Sequence, residues 1–436
     1  MKEANQSQSA WKIVTLLLLA NMLNIYDRTL PAIVVEPIRR EWGLSDTQFG
    51  LVGAAFTVAY ALTVIPLGRW SDTASRKIIM GVGLLVWSLF TGFTGLAWSY
   101  AAFFVIRICV GIGEATFGPA STSLIGDLFP SEKRSLPMGI FMLGLPLGSL
   151  LAFFTTGPIV QYFGNWRAPF YIAVVPGVLL ALLMLFIKEP ARGAADGAQE
   201  KSQPVAKPIR KVLSSWTMRW LVVAGIFASM AAYAAGSFLV PLIQRYFGAS
   251  LTTAAVMTGV IIGMSGLLGL TAGGAVADRM HRIHPKARLI FGASSMMLAA
   301  VLTALALRYE QGGLLIFTAL FCLGWLLQYN FYTCVYPAMQ DVVEPRLRAT
   351  AYAVYTALLY ILGGGMGPVL VGALSDHYTQ VAMLAAHTNE LTDQLKGVGL
   401  HGAMMVVPAT LFLSGVAIWI ANRSFVADAQ KMRAAL

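Results

Sequence analysis

The chain has 436 residues, of which 57% are hydrophobic and 12% charged, where a typical soluble domain carries about 25% charged residues. A soluble globular protein is thereby excluded, and a polytopic membrane protein is expected. In a soluble chain the net charge of +11 would suggest a nucleic-acid partner. Here it reflects loop topology instead, and no nucleic-acid partner is expected.

Twelve apolar spans follow in order, at about 11–35, 47–70, 77–97, 100–126, 134–157, 167–187, 218–241, 253–277, 288–307, 313–340, 348–373 and 401–421. Each is long enough to cross the hydrocarbon core as a helix. The first follows a short polar start and runs beyond signal-peptide length, so it is read as a retained helix. The polar, Pro- and Ala-rich stretch 188–216 interrupts the series. It divides the chain into an N-terminal six-helix bundle (1–187), a linker (188–216) and a C-terminal six-helix bundle (217–436). With twelve spans both termini share one side. That side collects 23 of the 31 lysines and arginines, against six on the other side and two inside spans. The positive-inside rule then places both termini in the cytoplasm. The three cysteines, Cys109, Cys322 and Cys334, all fall within spans. They form neither a disulfide framework nor a metal-ligand pattern.

Span 1 carries Asp27 and Arg28, and span 4 carries Arg107 and Glu114. Charge at mid-membrane costs roughly 2.5–3.5 kcal/mol per residue, so four lipid-facing groups would cost about 10–14 kcal/mol. They must face a protein interior or a wet cavity, which in a twelve-span chain is a transport path. Arg107 and Glu114 stand seven residues apart on one helix face, two turns or about 10 Å. Asp27 and Arg28 are adjacent and diverge by about 100°, and spacing leaves open which of them faces the cavity. Four of the five histidines lie in loops and His401 only opens the last span, so proton coupling would rest on Glu114, with Asp27 tuning it or carrying a second proton. Arg28 and Arg107 offer guanidinium forks for an anionic or zwitterionic head group.

Other features are organisational. Ser45-Asp46-Thr47-Gln48 reads as a capping box opening span 2. Gly68 and Asp72 after span 2, followed by Arg76, match Gly274 and Asp278 after span 8 and Gly372 and Asp376 after span 11. Asp127 precedes Arg134 by the same seven residues that separate Asp341 from Arg348. This internal repeat assigns Asp72, Arg76, Asp127, Arg134, Asp278, Asp341 and Arg348 to a cytoplasmic gate, where charge-assisted links form and break. Gly144-Leu-Pro-Leu-Gly148 and Gly363-Gly-Gly-Met-Gly367-Pro368 occupy corresponding places in spans 5 and 11 and are read as points of bending and sliding. Spans 7 and 10 correspond to spans 1 and 4 but are uncharged until Asp341. They offer Tyr233, Gln328, Tyr329 and Asn330, to which span 11 adds Tyr355. A path charged on one wall and aromatic on the other suits an amphipathic substrate, and these five residues are the expected contacts of its tail side.

The loop GRWSDTASRK and the two six-span halves resemble the major facilitator superfamily, with Ser75 where that loop usually has glycine before the base. The stretches NIYDRTLPAIVVEPIRREWGLSDTQFGLVGAAF, VGIGEATFGPASTSLIGDLFPSEKR and LRATAYAVYTALLYILGGGMGPVLVGALSD are similar to its Spinster branch. That resemblance implies an all-α membrane fold of two pseudo-symmetric six-helix bundles working by alternating access. It also implies a lysophospholipid or sphingoid phosphate coupled to protons, with the functional charges on Asp27, Arg28, Arg107 and Glu114. The organic anion branch carries the same four charges, which keeps a proton-coupled sugar-acid symporter as the alternative, with broad drug efflux behind it. No nucleotide motif, catalytic constellation, metal site or cofactor is expected. Expected partners are the substrate, protons and membrane lipids. A monomer in a bacterial inner membrane is the expected setting.

Overall fold

The computed structural model describes residues 2–71, 74–129, 134–191, 208–309, 312–344 and 347–434. All regular structure among them is helical, and twelve of their helices are long and apolar enough to cross a membrane. These are Ala10–Ile33, Asp46–Ser71, Arg76–Gly95, Tyr100–Leu128, Leu136–Phe163, Ala168–Leu185, Trp216–Phe247, Leu251–Ile283, Ala287–Ala306, Leu314–Asp341, Thr350–Ala385 and Asp393–Met432, numbered below as spans 1 to 12. They match the twelve sequence-derived spans one for one. Several run longer, most of all span 11, which reaches Ala385, and span 12, which starts at Asp393. Apolarity marks only the hydrocarbon slab, whereas a helix keeps its hydrogen bonds on into polar surroundings. Within each unit, the end at which odd-numbered spans start is called the near end and the opposite one the far end.

The chain divides into two compact units. One comprises 1–43 and 55–201, the other 44–54 and 202–436. Span 2 is therefore shared: its first nine residues, 46–54, pack with the second unit and the rest with the first. Inside the first unit span 1 packs on spans 5 and 6, and span 3 on spans 4 and 6. Inside the second unit span 7 packs on spans 11 and 12, and span 9 on spans 10 and 12. These are the same neighbours six spans later, the packing counterpart of the sequence repeat.

Departures from ideal helix also recur. Span 4 breaks after Glu114 and resumes at Phe117, because Pro119 has no N–H for the Ala115 carbonyl and its ring crowds it. Span 10 breaks at Tyr329, directly after Gln328. Span 5 breaks at Leu143, beside Gly144, while span 11 has a π-helical turn at Leu359–Gly364. A second π turn, Val260–Met264, lies in span 8. The glycine clusters of spans 5 and 11 are contact points. A Cβ on Gly148 would lie 2.2 Å from the Met22 carbonyl oxygen of span 1, and one on Gly367 would lie 2.5 Å from that of Met230 in span 7. Both pairs let two backbones touch at equivalent crossings.

Candidate functional site

The first unit gathers all four mid-span charges. Asp27 is fully buried and its Oδ2 accepts from Thr91 Oγ1 of span 3 at 3.3 Å. Arg28, one residue on, points elsewhere: its side chain keeps 19% exposure. Arg28 is thus partly exposed while Asp27 is turned into the helix packing. Arg28 donates through Nε and Nη2 to one oxygen of Glu114, Oε2, at 3.1 and 2.8 Å. It also lies over the rings of Phe56 and Tyr60, 5.2 and 4.8 Å from their centroids. Arg107 is buried and stacks its guanidinium on Phe56 from the opposite helix, at 4.9 Å. The partner of Glu114 is therefore Arg28 of span 1, and Arg107 is the second cation of the group.

Three buried polar atoms of this group lack a hydrogen-bond partner: Asp27 Oδ1, Glu114 Oε1 and Arg107 Nη1. Unsatisfied buried charge is expensive, and in a native fold it marks a place built for something other than stability. Span geometry sets the positions. Trp87 of span 3 sits against Gly113, where a Cβ would come within 2.9 Å of the Trp87 Cβ. Span 4 thus lies close on span 3, and the helix break directly after Glu114 frees that side chain from a regular turn.

The near end of this unit holds a second charge cluster. Arg76, fully buried at the start of span 3, pairs with Asp127 at the end of span 4 and donates to Ser123 Oγ at 3.1 Å. It also binds Glu189 at 2.8 Å and the Pro190 carbonyl at 3.1 Å, just beyond span 6. Burial alone would raise the Glu189 carboxyl, but the hydrogen bonds from Arg76 and Ser75 outweigh it and hold the group at about 2. Arg134 instead donates to the carbonyls of Gly126 and Phe129, at 2.6 and 3.2 Å, closing the end of span 4. Asp72 lies outside the described residues.

The second unit repeats this arrangement with different details. Arg288 at the start of span 9 pairs with Asp341 at the end of span 10. Arg348 donates to the Gln340 carbonyl at 3.3 Å, and Asp278 is exposed. Lys211 of the short helix Pro208–Val212 reaches Glu344 at 2.6 Å.

At mid-span the second unit is aromatic. Tyr332 stacks on Tyr336 at 5.9 Å, and Tyr336 meets Tyr352 and Tyr355 at 5.8 and 5.5 Å. Tyr233 meets Tyr360 at 5.9 Å. Buried Tyr355 Oη and Gln328 Nε2 have no hydrogen-bond partner. Tyr329 spends its hydroxyl on the Ile262 carbonyl in the π turn of span 8, at 3.0 Å. Asn330 donates to Ser295 Oγ of span 9 at 3.0 Å. Of the five expected contacts, the structure puts Tyr355 and Gln328 in or beside the tyrosine array with free donors. Tyr233 lies against Tyr360, while Tyr329 and Asn330 are engaged in helix packing. Tyr336, at the centre of the array, was legible in sequence as the next step of the Tyr329–Tyr332 stripe, one helical turn on.

The repeat also pairs Gln328 with Glu114. The 214-residue offset that relates Asp127 to Asp341 and Arg134 to Arg348 relates Glu114 to Gln328, and both residues immediately precede a helix break. An amide of nearly the same shape stands where the first half has its carboxylate. Among the described residues no group of His, Cys, Asp and Glu could hold a metal ion.

The model of the Major Facilitator Superfamily matches residues 17–368. Among curated proteins, the chain is 29% identical to an MFS-type efflux pump of Mycolicibacterium smegmatis, over 96% of this chain and 94% of that one. It is 26% identical to the sphingosine-1-phosphate transporter SPNS2 of Danio rerio, over 94% and 83%. It is 26% identical to protein spinster of Drosophila melanogaster, over 92% and 68%. Among solved structures, a bacterial homologue of the human lysosomal transporter Spinster, described as inward-facing and unoccupied, superposes with a TM-score of 0.86 at 24% identity, covering 96% of this chain and 98% of that one.

Proposed function

The chain belongs to the Major Facilitator Superfamily, as a multi-pass membrane transporter related to the Spinster proteins and not an enzyme, and we propose that it couples protons to the movement of an amphipathic anion or zwitterion. The observation that carries this reading is the Arg28–Glu114 pair, in which one carboxylate oxygen takes both guanidinium bonds and the other takes none. An anionic head group competing for Arg28 displaces Glu114, and a buried carboxylate stripped of its cation is neutralised by a proton. Substrate binding and protonation then become two sides of one exchange. Arg107, stacked on Phe56 with a free Nη1, is the second anchor for the head group. Asp27, held by Thr91, is placed to tune this exchange or carry a second proton.

The two units offer different chemistry. The first supplies cations, and the second supplies tyrosine faces with the unpartnered donors of Tyr355 and Gln328. The guanidinium forks of Arg28 and Arg107 fit an anionic or zwitterionic head, such as that of a lysophospholipid or sphingoid phosphate, with a small sugar acid as the alternative. The sphingosine-1-phosphate transporter among its relatives supports the same class. The efflux-pump relative supports broad efflux as a second reading. The lysine and arginine bias supports a cytoplasmic location for both termini, and with it a cytoplasmic gate at the near-end clusters around Arg76 and Arg288. The chain is proposed to act as a monomer in a bacterial inner membrane.

Proteoliposomes holding a pH-sensitive dye test the substrate class. Lysophospholipid, sphingoid phosphate, sugar acid and an unrelated apolar cation are added in turn, with protein-free vesicles as the leak control. The proposal expects proton movement above the leak with a lipid. A response to sugar acids alone moves the chain to small organic anions, and a response to unrelated apolar cations favours broad efflux.

A further inference from the structure

Spans 3 and 9 open at the near ends of their units in the same way, each on an arginine paired with the aspartate that closes the next span: Arg76 with Asp127, Arg288 with Asp341. The two guanidinium groups differ in what else they hold. Arg76 Nε donates to Glu189 at 2.8 Å, Nη1 to Ser123 Oγ at 3.1 Å and Nη2 to the Pro190 carbonyl at 3.1 Å. Arg288 is also buried, at 5% exposure, yet its buried Nε donates to nothing. The 214-residue offset that carries Asp127 to Asp341 carries Ser123 to Pro337, which has no hydroxyl to offer. Glu189 comes from the chain just beyond span 6, whereas span 12 continues as helix to Met432. A Cβ on Gly415 of span 12 would lie 3.0 Å from the Ala293 carbonyl oxygen of span 9. Two turns further along span 12, Asn422 and Arg423 therefore come level with Arg288. Neither is an acid. Asn422 is buried with an unpartnered Oδ1, and Arg423 is exposed.

A buried guanidinium N–H without an acceptor is costly, and the first unit avoids the cost with a carboxylate. What Arg288 lacks is an acceptor, and the charge around it favours an anion. Residues 278–288 carry Arg279, Arg282, Lys286 and Arg288 against one acid, Asp278, and the partner Asp341 offsets one more of these charges. The exposed apolar residues of span 9, Ile290, Leu298, Val301 and Leu305, fall on one helix face that runs from this basic end into the membrane. A phospholipid meets both demands, with its phosphate at the arginine and its acyl chains along the stripe. A free anion meets only the first.

We propose that Arg288, with Lys286 and Arg423 as outer cations, holds the head group of an anionic phospholipid at the near end of span 9, in the place that Glu189 fills in the first unit. This lipid is a resident of the rim and not the transported molecule, so the inference stands whatever the substrate is.

Native mass spectrometry of the full-length chain in detergent counts retained phosphatidylglycerol against phosphatidylcholine, and melting curves with each lipid give a second readout. The wild type is expected to prefer phosphatidylglycerol about tenfold, the order set by one hydrogen bond to a charged group. Asn422→Glu supplies a carboxylate from span 12 and is expected to cut that preference to about twofold or less. Arg288→Lys keeps a cation for Asp341 but removes Nε, and is expected to do the same. Glu189→Ala opens the matching place at Arg76 and is expected to add a second retained phosphatidylglycerol. Retention on size-exclusion chromatography shows that each variant is folded. An undiminished preference in folded Asn422→Glu and Arg288→Lys overturns the site. Protection against melting by inorganic phosphate equal to that by phosphatidylglycerol overturns the lipid as its occupant.

Discussion

Glu114 and Gln328 show how one atom of difference separates the two halves. Both are buried ahead of a helix break, but only the first can carry a proton. Gln328 Nε2 makes no hydrogen bond, so replacing the side chain with leucine removes a buried donor that contributes nothing to the resting fold. Gln328→Leu is predicted to leave thermal stability unchanged or slightly higher, while raising the substrate concentration for half-maximal transport. Both are read from one preparation, by melting in detergent and by flux. A clear loss of stability would contradict the assignment. At the near end the opposite holds, because Arg76 satisfies two acids from complete burial. Arg76→Met is predicted to cost about 3–5 kcal/mol, the usual result of stranding buried partners, and Glu189→Gln less. Since Glu189 is held below its ordinary 4.5, its contribution is full above that pH and is lost as pH falls through about 2. The melting difference between wild type and Glu189→Gln should therefore stay constant from neutral pH to about 4.5 and shrink below it.

Elements were legible where one helix decides its own fate and illegible where two must agree. Apolar run length gave the number and order of the spans, because each must cover the hydrocarbon core alone. The capping box at Ser45 was readable for the same reason and is present. By contrast, the choice of Arg28 over Arg107 as the partner of Glu114 depends on the rotation of span 1 against span 4, which no local pattern encodes. Arg76 and Glu189 are likewise joined only by the packing of span 3 beside span 6. The equivalence of Glu114 and Gln328 was available from the repeat spacing alone. The glycines of spans 5 and 11 are read more sharply now: their first task is backbone contact with spans 1 and 7. Gly148→Ala and Gly367→Ala should each force two helices apart and destabilise by about 1–3 kcal/mol, seen as lower melting temperatures. Equal stability would return these positions to a purely flexible role.

At the scale of the whole molecule, duplication and divergence divide the work. Both units keep the same neighbour relations among spans and the same near-end pairing of an arginine with an aspartate. They differ at mid-span, with the fixed charges in the first unit and the tyrosines in the second. On the proposed reading, an anionic head group and a proton compete for the fixed charges of the first unit. The measurement that tests this most directly compares two modes of transport by Glu114→Gln in proteoliposomes. Wild type should show both exchange of labelled for unlabelled substrate and accumulation driven by a pH gradient. Glu114→Gln is predicted to keep the exchange, which needs no net proton movement, and to lose the gradient-driven accumulation. Gradient-driven accumulation at the wild-type level in that variant would contradict the account.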